Sequence, residues 1–192
     1  MYKYMLLSAA AVCAVAFGAY KAMAQEKPEE KVATDGKILI AYYSYSGNTK
    51  EVAEAIQKNI GGDLFEIKTE GTYPEEYRPM TQQAKKEIAD GYRPKLTTAV
   101  ENMAQYDTVF IGSPNWWSTI TPQVSSFIET YDLNGKTVIP FITHGGGGVQ
   151  NTIKDMTAQC KGCKVVQEGW VGYSSRTLGV SSWLKDLGFK TK

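Results

Sequence analysis

Residues 44–49 read Ser44-Tyr45-Ser46-Gly47-Asn48-Thr49, which places three small hydroxyls and a carboxamide around one glycine. The stretch lies between an apolar run and a segment of helical spacing, so it forms a turn at the mouth of a helix. A helix N-terminus presents unpaired N–H groups and about half a positive charge, and an anion fits there naturally. Ser44, Ser46, Thr49, Asn48 and the neighbouring amides could surround a phosphate, and Gly47 lets the backbone come close or take positive φ. The loop holds no lysine or arginine. That favours a phosphate bound by neutral donors, such as the tail of a mononucleotide. An ordinary strand-to-helix turn capped by serines is the competing reading.

Two further stretches carry chemistry of a different kind. Pro114, Asn115, Trp116, Trp117 and Ser118 follow a second apolar run. Two adjacent indoles cannot easily both be buried in one direction. Either one lies flat against a planar ligand while the other packs inward, or both are packing residues. Thr143, His144 and the glycines Gly145, Gly146, Gly147 and Gly148 follow a third run. Glycine costs backbone entropy, so four in succession either bring bare amides to the polar edge of a ring or simply supply flexibility. His144 is the single histidine of the chain, and it is either a ligand contact or a solvated loop side chain.

The elements that must position these loops alternate between strand and helix. Residues 37–43 form a short apolar run, as in a central strand buried on both faces. Residues 49–60 carry Val52, Ile56 and Ile60 on one helical stripe, and Gly61-Gly62 ends the helix. Residues 63–67 alternate, which suits a strand near a sheet edge. Tyr73-Pro74 and Arg78-Pro79 mark turns before a moderate helix over residues 81–90. Residues 108–112 are a buried strand, and residues 122–131 a helix with Pro122 at its start. Residues 136–143 are the next strand, with Pro140 unusual inside it. Residues 149–159 are helical, residues 164–166 form the last short strand, and residues 180–187 the last helix. Five strands with intervening helices predict an α/β fold with a doubly wound, five-stranded parallel sheet. Ligands of such sheets bind at the carboxyl ends of the strands. All three loops follow strands and should therefore share one edge. Phosphate cradle, aromatic shelf and bare-amide loop, in strand order, describe a flavin mononucleotide (FMN) site.

Composition and missing motifs remove several alternatives. The chain has 192 residues, 43% hydrophobic and 21% charged, the balance of one soluble globular domain. Met1 to Tyr4 carry one positive charge, an apolar run follows to Tyr20, and Ala22-Met23-Ala24 supplies a small-x-small cleavage pattern. Residues 1–24 therefore read as a secretory signal peptide, which makes the protein exported, periplasmic or extracellular. The apolar run is short for a spanning helix, and no membrane span is expected after cleavage. Cleavage removes two lysines and no acid, leaving 19 basic against 20 acidic side chains, a net charge of −1. A near-neutral chain without a basic stripe gives no electrostatic case for nucleic acid. Residues 25–36 are polar and read as a flexible linker to the domain over residues 37–192. Neither G-x-x-x-x-G-K-[ST] nor G-x-G-x-x-G follows the first strand, which excludes a P-loop and a dinucleotide fingerprint. G-x-S-x-G is also absent, which weighs against a serine hydrolase. Cys160 and Cys163 are either a local disulfide or a redox-active C-x-x-C pair. A zinc site would need two more ligands, so no metal is expected.

The stretches AYYSYSGNTKEVA, YDTVFIGSPNWWSTITPQV, YDLNGKTVIPFITHGGGG and WVGYSSRTLGVSSWLKDLG resemble the flavodoxin-like family. The likeness is strongest to its bacterial branch with P-x-W-W after the third strand and a glycine-rich loop after the fourth. It runs from about residue 37 to residue 187, and it implies strand order 2-1-3-4-5 with FMN as cofactor. By resemblance, Ser44, Ser46, Gly47, Asn48 and Thr49 hold the phosphate. Pro114, Asn115, Trp116, Trp117 and Ser118 contact the ring, and Thr143, His144 and Gly145 to Gly148 close over it. The flavin carries the reaction, so no catalytic acid–base residue is demanded. The resemblance implies electron transfer to a redox partner or reduction of a small quinone-like acceptor. A cofactor-free module that binds another phosphorylated or aromatic ligand in the same crevice is the alternative.

Overall fold

The structure is a computed structural model and describes residues 36–192. The expected leader and all but the last residue of the expected linker lie outside the described residues. The strands are β1 (Lys37–Tyr42), β2 (Asp63–Glu66), β3 (Tyr106–Pro114), β4 (Thr137–His144), β5 (Lys164–Val165) and β6 (Trp170–Tyr173). The helices are α1 (Asn48–Ile60), α2 (Tyr77–Ala89), α3 (Pro122–Thr130), α4 (Thr152–Gln159) and α5 (Val180–Asp186). All pairings among the strands are parallel, and the order is β2-β1-β3-β4-β5, with β6 also on β4.

The sheet is buried because each central strand is apolar on both faces. Leu39, Ala41, Val109, Ile111, Val138 and Ile142 pack with Val124 and Phe127 of α3 and Met156 of α4. The alternate residues Ile40, Tyr42, Phe110, Ile139 and Phe141 pack with Val52 and Ile56 of α1 and Leu184 of α5. The period of two along each strand thus assigns successive side chains to opposite helical layers. This is the doubly wound arrangement expected from the alternation of elements.

Three local expectations change. The fifth strand position is filled by two pieces rather than one. β5 pairs with Thr137 and Val138, and β6 pairs with Phe141 to His144. Pro140 falls in the gap between them, so its missing N–H removes no ladder bond. That is why a proline is tolerated inside β4. Secondly, α2 begins at Tyr77, ahead of the expected residue 81, and takes in Pro79. A proline in the first helical turn loses nothing, because N–H groups there have no intrahelical acceptor. Thirdly, α4 begins at Thr152; Val149 to Asn151 form a turn, with Gln150 at φ 44°.

Cys160 and Cys163 are joined by a disulfide with 5.8 Å between the Cα atoms. It closes the C-terminus of α4. Lys164 lies next to it and pairs with Thr137 at the beginning of β4. The bridge therefore sits at the sheet edge opposite the carboxyl ends of the strands.

Candidate cofactor site

The first loop turns from β1 into α1 through Gly47, the N-cap, at φ 86°. An L-residue with a side chain is strained in that left-handed conformation, and glycine is not. Glycine has no side chain to cap the first helical turn. Ser44 caps it in part: its Oγ accepts the N–H of Lys50, the third residue of α1, at 3.2 Å. Asn48 donates from Nδ2 to Ser46 Oγ at 3.0 Å. Thr49 is buried, and its hydroxyl bonds the Thr143 hydroxyl at 2.8 Å, linking the first and third loops across 94 positions.

The second loop is a tight hairpin turn. Trp116 N–H donates to Thr119 O at 3.0 Å, and Thr119 N–H returns to Trp116 O at 3.1 Å. The two intervening residues, Trp117 and Ser118, have φ of 50° and 72°. A two-residue hairpin with both φ positive normally carries Asn or Gly, so this one is strained. The surroundings hold it shut. Trp117 donates from its indole to Thr81 O at 2.9 Å, and Lys85 Nζ stands 4.7 Å from the centre of the same ring. Ser118 O accepts the Asn151 N–H at 3.0 Å.

The two indoles differ in exposure. Trp117 is half exposed. Trp116 is enclosed edge-to-face by three tyrosines: Tyr43, Tyr45 and Tyr73, with centroids at 5.8, 5.9 and 5.1 Å. Each such contact contributes about 0.5–1.5 kcal/mol beyond burial. Tyr73 is fixed in turn, donating to the Glu87 carboxylate and accepting from Gln123 Nε2 at 3.2 Å. Burial first, and then the bond to Glu87, raises the Tyr73 phenol well above its ordinary range. Burial also raises Tyr43, with Tyr45 and Glu87 adding to the effect. Neither phenol loses its proton at neutral pH.

The third loop leaves β4 at His144, whose Nδ1 accepts the Gly146 N–H at 3.0 Å. Gly146 and Gly148 are at positive φ, 132° and 72°; Gly145 and Gly147 are not. Asn115 ties the second loop to this one. Its N–H donates to Thr143 O at 2.7 Å, and its Nδ2 donates to Gly148 O at 2.6 Å and Gln150 Oε1 at 3.2 Å. Its Oδ1 is buried without a partner.

The three loops enclose one cavity of about 470 Å³ at the carboxyl edge of the sheet, a size within the range of small-ligand sites. From the first loop Ser46, Asn48 and Thr49 line it, and Tyr45 joins them. The second contributes Pro114, Asn115, Trp116 and Trp117, and the third Thr143, His144 and Gly145. Ser44, Gly47, Ser118, Gly146, Gly147 and Gly148 stand outside the wall and shape the turns. The remaining wall is one not expected from the sequence: Tyr77, Met80, Thr81 and Ala84 of α2. Their spacing of three and four is a helical stripe, the signal that could have exposed them. Among the described residues no three His, Cys, Asp or Glu side chains gather where they could hold a metal ion.

The residues fit a flavin nucleotide. A helix N-terminus with hydroxyls suits a phosphate, a buttressed indole suits a flat ring, and the unpaired Asn115 Oδ1 is an acceptor in want of a donor.

Comparison with known proteins agrees. A chain from Bacteroides uniformis ATCC 8492, provisionally called a flavoprotein, superposes with a TM-score of 0.71 at 30% identity, covering 78% of this chain and 98% of its own. A flavoprotein from Lactobacillus acidophilus NCFM, solved in complex with FMN, superposes with a TM-score of 0.61 at 26% identity, covering 77% and 98%. An NAD(P)H dehydrogenase (quinone) from Cupriavidus metallidurans is 28% identical over 123 residues, which span 57% of this chain and 59% of that enzyme. The model of the flavodoxin family matches residues 37–187, and the chain belongs to that family.

Proposed function

We propose that the domain binds FMN in the cavity at the carboxyl edge of the sheet and serves in electron transfer or in the redox chemistry of a small molecule. The observation that carries this reading is the meeting of a helix mouth, a braced indole and a glycine loop around one space of about 470 Å³. The FMN complex of the Lactobacillus acidophilus flavoprotein supports the choice of cofactor. The name of the Cupriavidus metallidurans enzyme supports an oxidoreductase, although the match spans only 59% of that enzyme's length.

Bound FMN supplies reversible one- or two-electron chemistry at its ring. The chain's own residues hold and shield it. Ser46, Asn48 and Thr49 offer donors to the phosphate at the α1 mouth. Trp116, fixed by Tyr43, Tyr45 and Tyr73, gives the ring a rigid face. Met80, Ala84 and Trp117 exclude water from the α2 side. Tyr43 and Tyr73 stay protonated, so they brace the site and do not act as bases.

The test is an absorption titration of the purified domain with FMN, read beside tryptophan emission. Saturable binding with a flavin spectrum and quenched emission is the expected result. A chain that stays colourless with unchanged emission at high FMN leaves only the cofactor-free binding module.

A further inference from the structure

Cys160 and Cys163 take no part in the cofactor cavity. Their bridge joins positions only 3 apart, and so short a loop removes little chain entropy when it closes. The corner is also held by the backbone. Cys160 N–H donates to Met156 O at 3.0 Å, Gly135 N–H to Gly162 O at 2.9 Å, and Lys164 N–H to Lys136 O at 2.9 Å. Gly162, between the two cysteines, takes φ 73°, a turn conformation that glycine adopts without strain. Stability gives the bridge little reason to exist, which leaves its chemistry.

The two sulfurs are unequal in access. Cys160 is 6% exposed and belongs to the core layer with Met156 and Leu133. Cys163 is half-buried at the border of that layer. An attacking thiolate therefore reaches Cys163 first. The reduced pair also has a place in the fold. Cys160 lines a cavity of about 450 Å³ with Tyr131, Leu133 and Lys161, so a released thiol has room beside it. Cys163 Sγ lies 3.5 Å from Cys160 O, an acceptor for the S–H once the bridge is open.

The position of the pair sets the class of reductant. α4 ends at Cys160, so the negative pole of the helix faces the sulfurs. Such a pole stabilises no thiolate, and a disulfide whose reduced form gains no such stability is a weak oxidant. A monothiol that attacks Cys163 leaves Cys160 beside the mixed disulfide, where it closes the bridge again. Only a reductant with its own second thiol completes the reaction.

We propose that Cys160–Cys163 is a thiol–disulfide exchange site whose reductant is a dithiol. The reductant's thiolate sulfur bonds Cys163 Sγ as the Sγ–Sγ bond breaks. The electron pair of that bond stays on Cys160 Sγ, which takes a proton from water. The reductant's second thiol loses its proton and attacks its own sulfur in the mixed disulfide, and Cys163 leaves as a thiolate that is protonated in turn. Both cysteines end as thiols and the reductant as a disulfide. The exchange uses no flavin, so it stands or falls separately from the FMN reading.

The experiment treats the purified protein, without denaturant, with dithiothreitol, with thioredoxin kept reduced, or with reduced glutathione at equal thiol concentration. Alkylation follows, and mass spectrometry reads the peptide that carries both cysteines. Both dithiols should label the two sulfurs, and glutathione should do so at least about tenfold more slowly. Far-ultraviolet circular dichroism of the reduced protein should match that of the oxidised one. A thioredoxin lacking its second cysteine should be trapped on Cys163. Labelling by the dithiols in denaturant only makes the bridge structural and overturns the site. Loss of secondary structure on reduction overturns it as well, because exchange would then follow unfolding. Equal rates with glutathione overturn the dithiol class, and a trap on Cys160 overturns the order of attack.

Discussion

Replacing Thr49 by valine separates the phosphate reading from the serine-capped turn. The residue lines the cavity, and the replacement keeps its shape but removes Oγ1, the atom that bonds the Thr143 hydroxyl at 2.8 Å. Thr49 is 1% exposed and Thr143 3% exposed, so the orphaned hydroxyl has little water to turn to. The loss of a partner for a buried hydroxyl costs about 1–3 kcal/mol. Thr49→Val should therefore destabilise the cofactor-free domain by that amount in urea. The double replacement with Thr143→Val removes both hydroxyls and should recover part of it. Binding is a second and separate readout. A hydrogen bond to a charged phosphate is worth about 1.5–3 kcal/mol, so FMN affinity should fall about 10- to 100-fold while riboflavin affinity holds. Calorimetric titration with the two flavins measures the ratio. A Thr49→Val protein that is less stable yet keeps its FMN-to-riboflavin ratio would refute the phosphate cradle and leave Thr49 a loop staple.

Other expectations concern the frame around the site. Burial raises the phenols of Tyr42, Tyr43 and Tyr73, Tyr42 to about 12. The folded state thus keeps protons that the unfolded state releases near pH 10. Stability should be complete below about pH 10 and fall above it, read as urea midpoints; a flat profile through that window would place these phenols in water. Gly112→Ala should cost about 1–3 kcal/mol by overpacking, because a Cβ there would lie 2.2 Å from the Phe141 ring. A thermal midpoint equal to wild type would show that the ring moves aside freely.

Much of the site was readable because the central strands are apolar on both faces. Residues 37–43, 108–112 and 136–143 admit one arrangement, a parallel sheet covered twice. The loops that follow such strands must then share an edge. The residues that brace the site were harder to see. α2 buries only Met80 and Ala84, so its polar remainder masked the helical stripe that sets Tyr77 and Thr81 beside them on the cavity wall. Tyr73 lies among turn signals, and its role rests on Glu87 and Gln123, 14 and 50 positions away. β6 is four residues long, with Val171 and Tyr173 exposed, and only β4 defines it as a strand.

The sequence alone determined the layer order and the common edge of residues 44–49, 113–118 and 143–148, since these follow from local periodicity and turn chemistry. Tertiary structure decided which of those side chains meet. The bond between Thr49 and Thr143, the three tyrosines on Trp116 and the approach of Ser174 to Asn48 join positions far apart in the chain. Such contacts depend on how strands and helices pack, and no local pattern of residues encodes them.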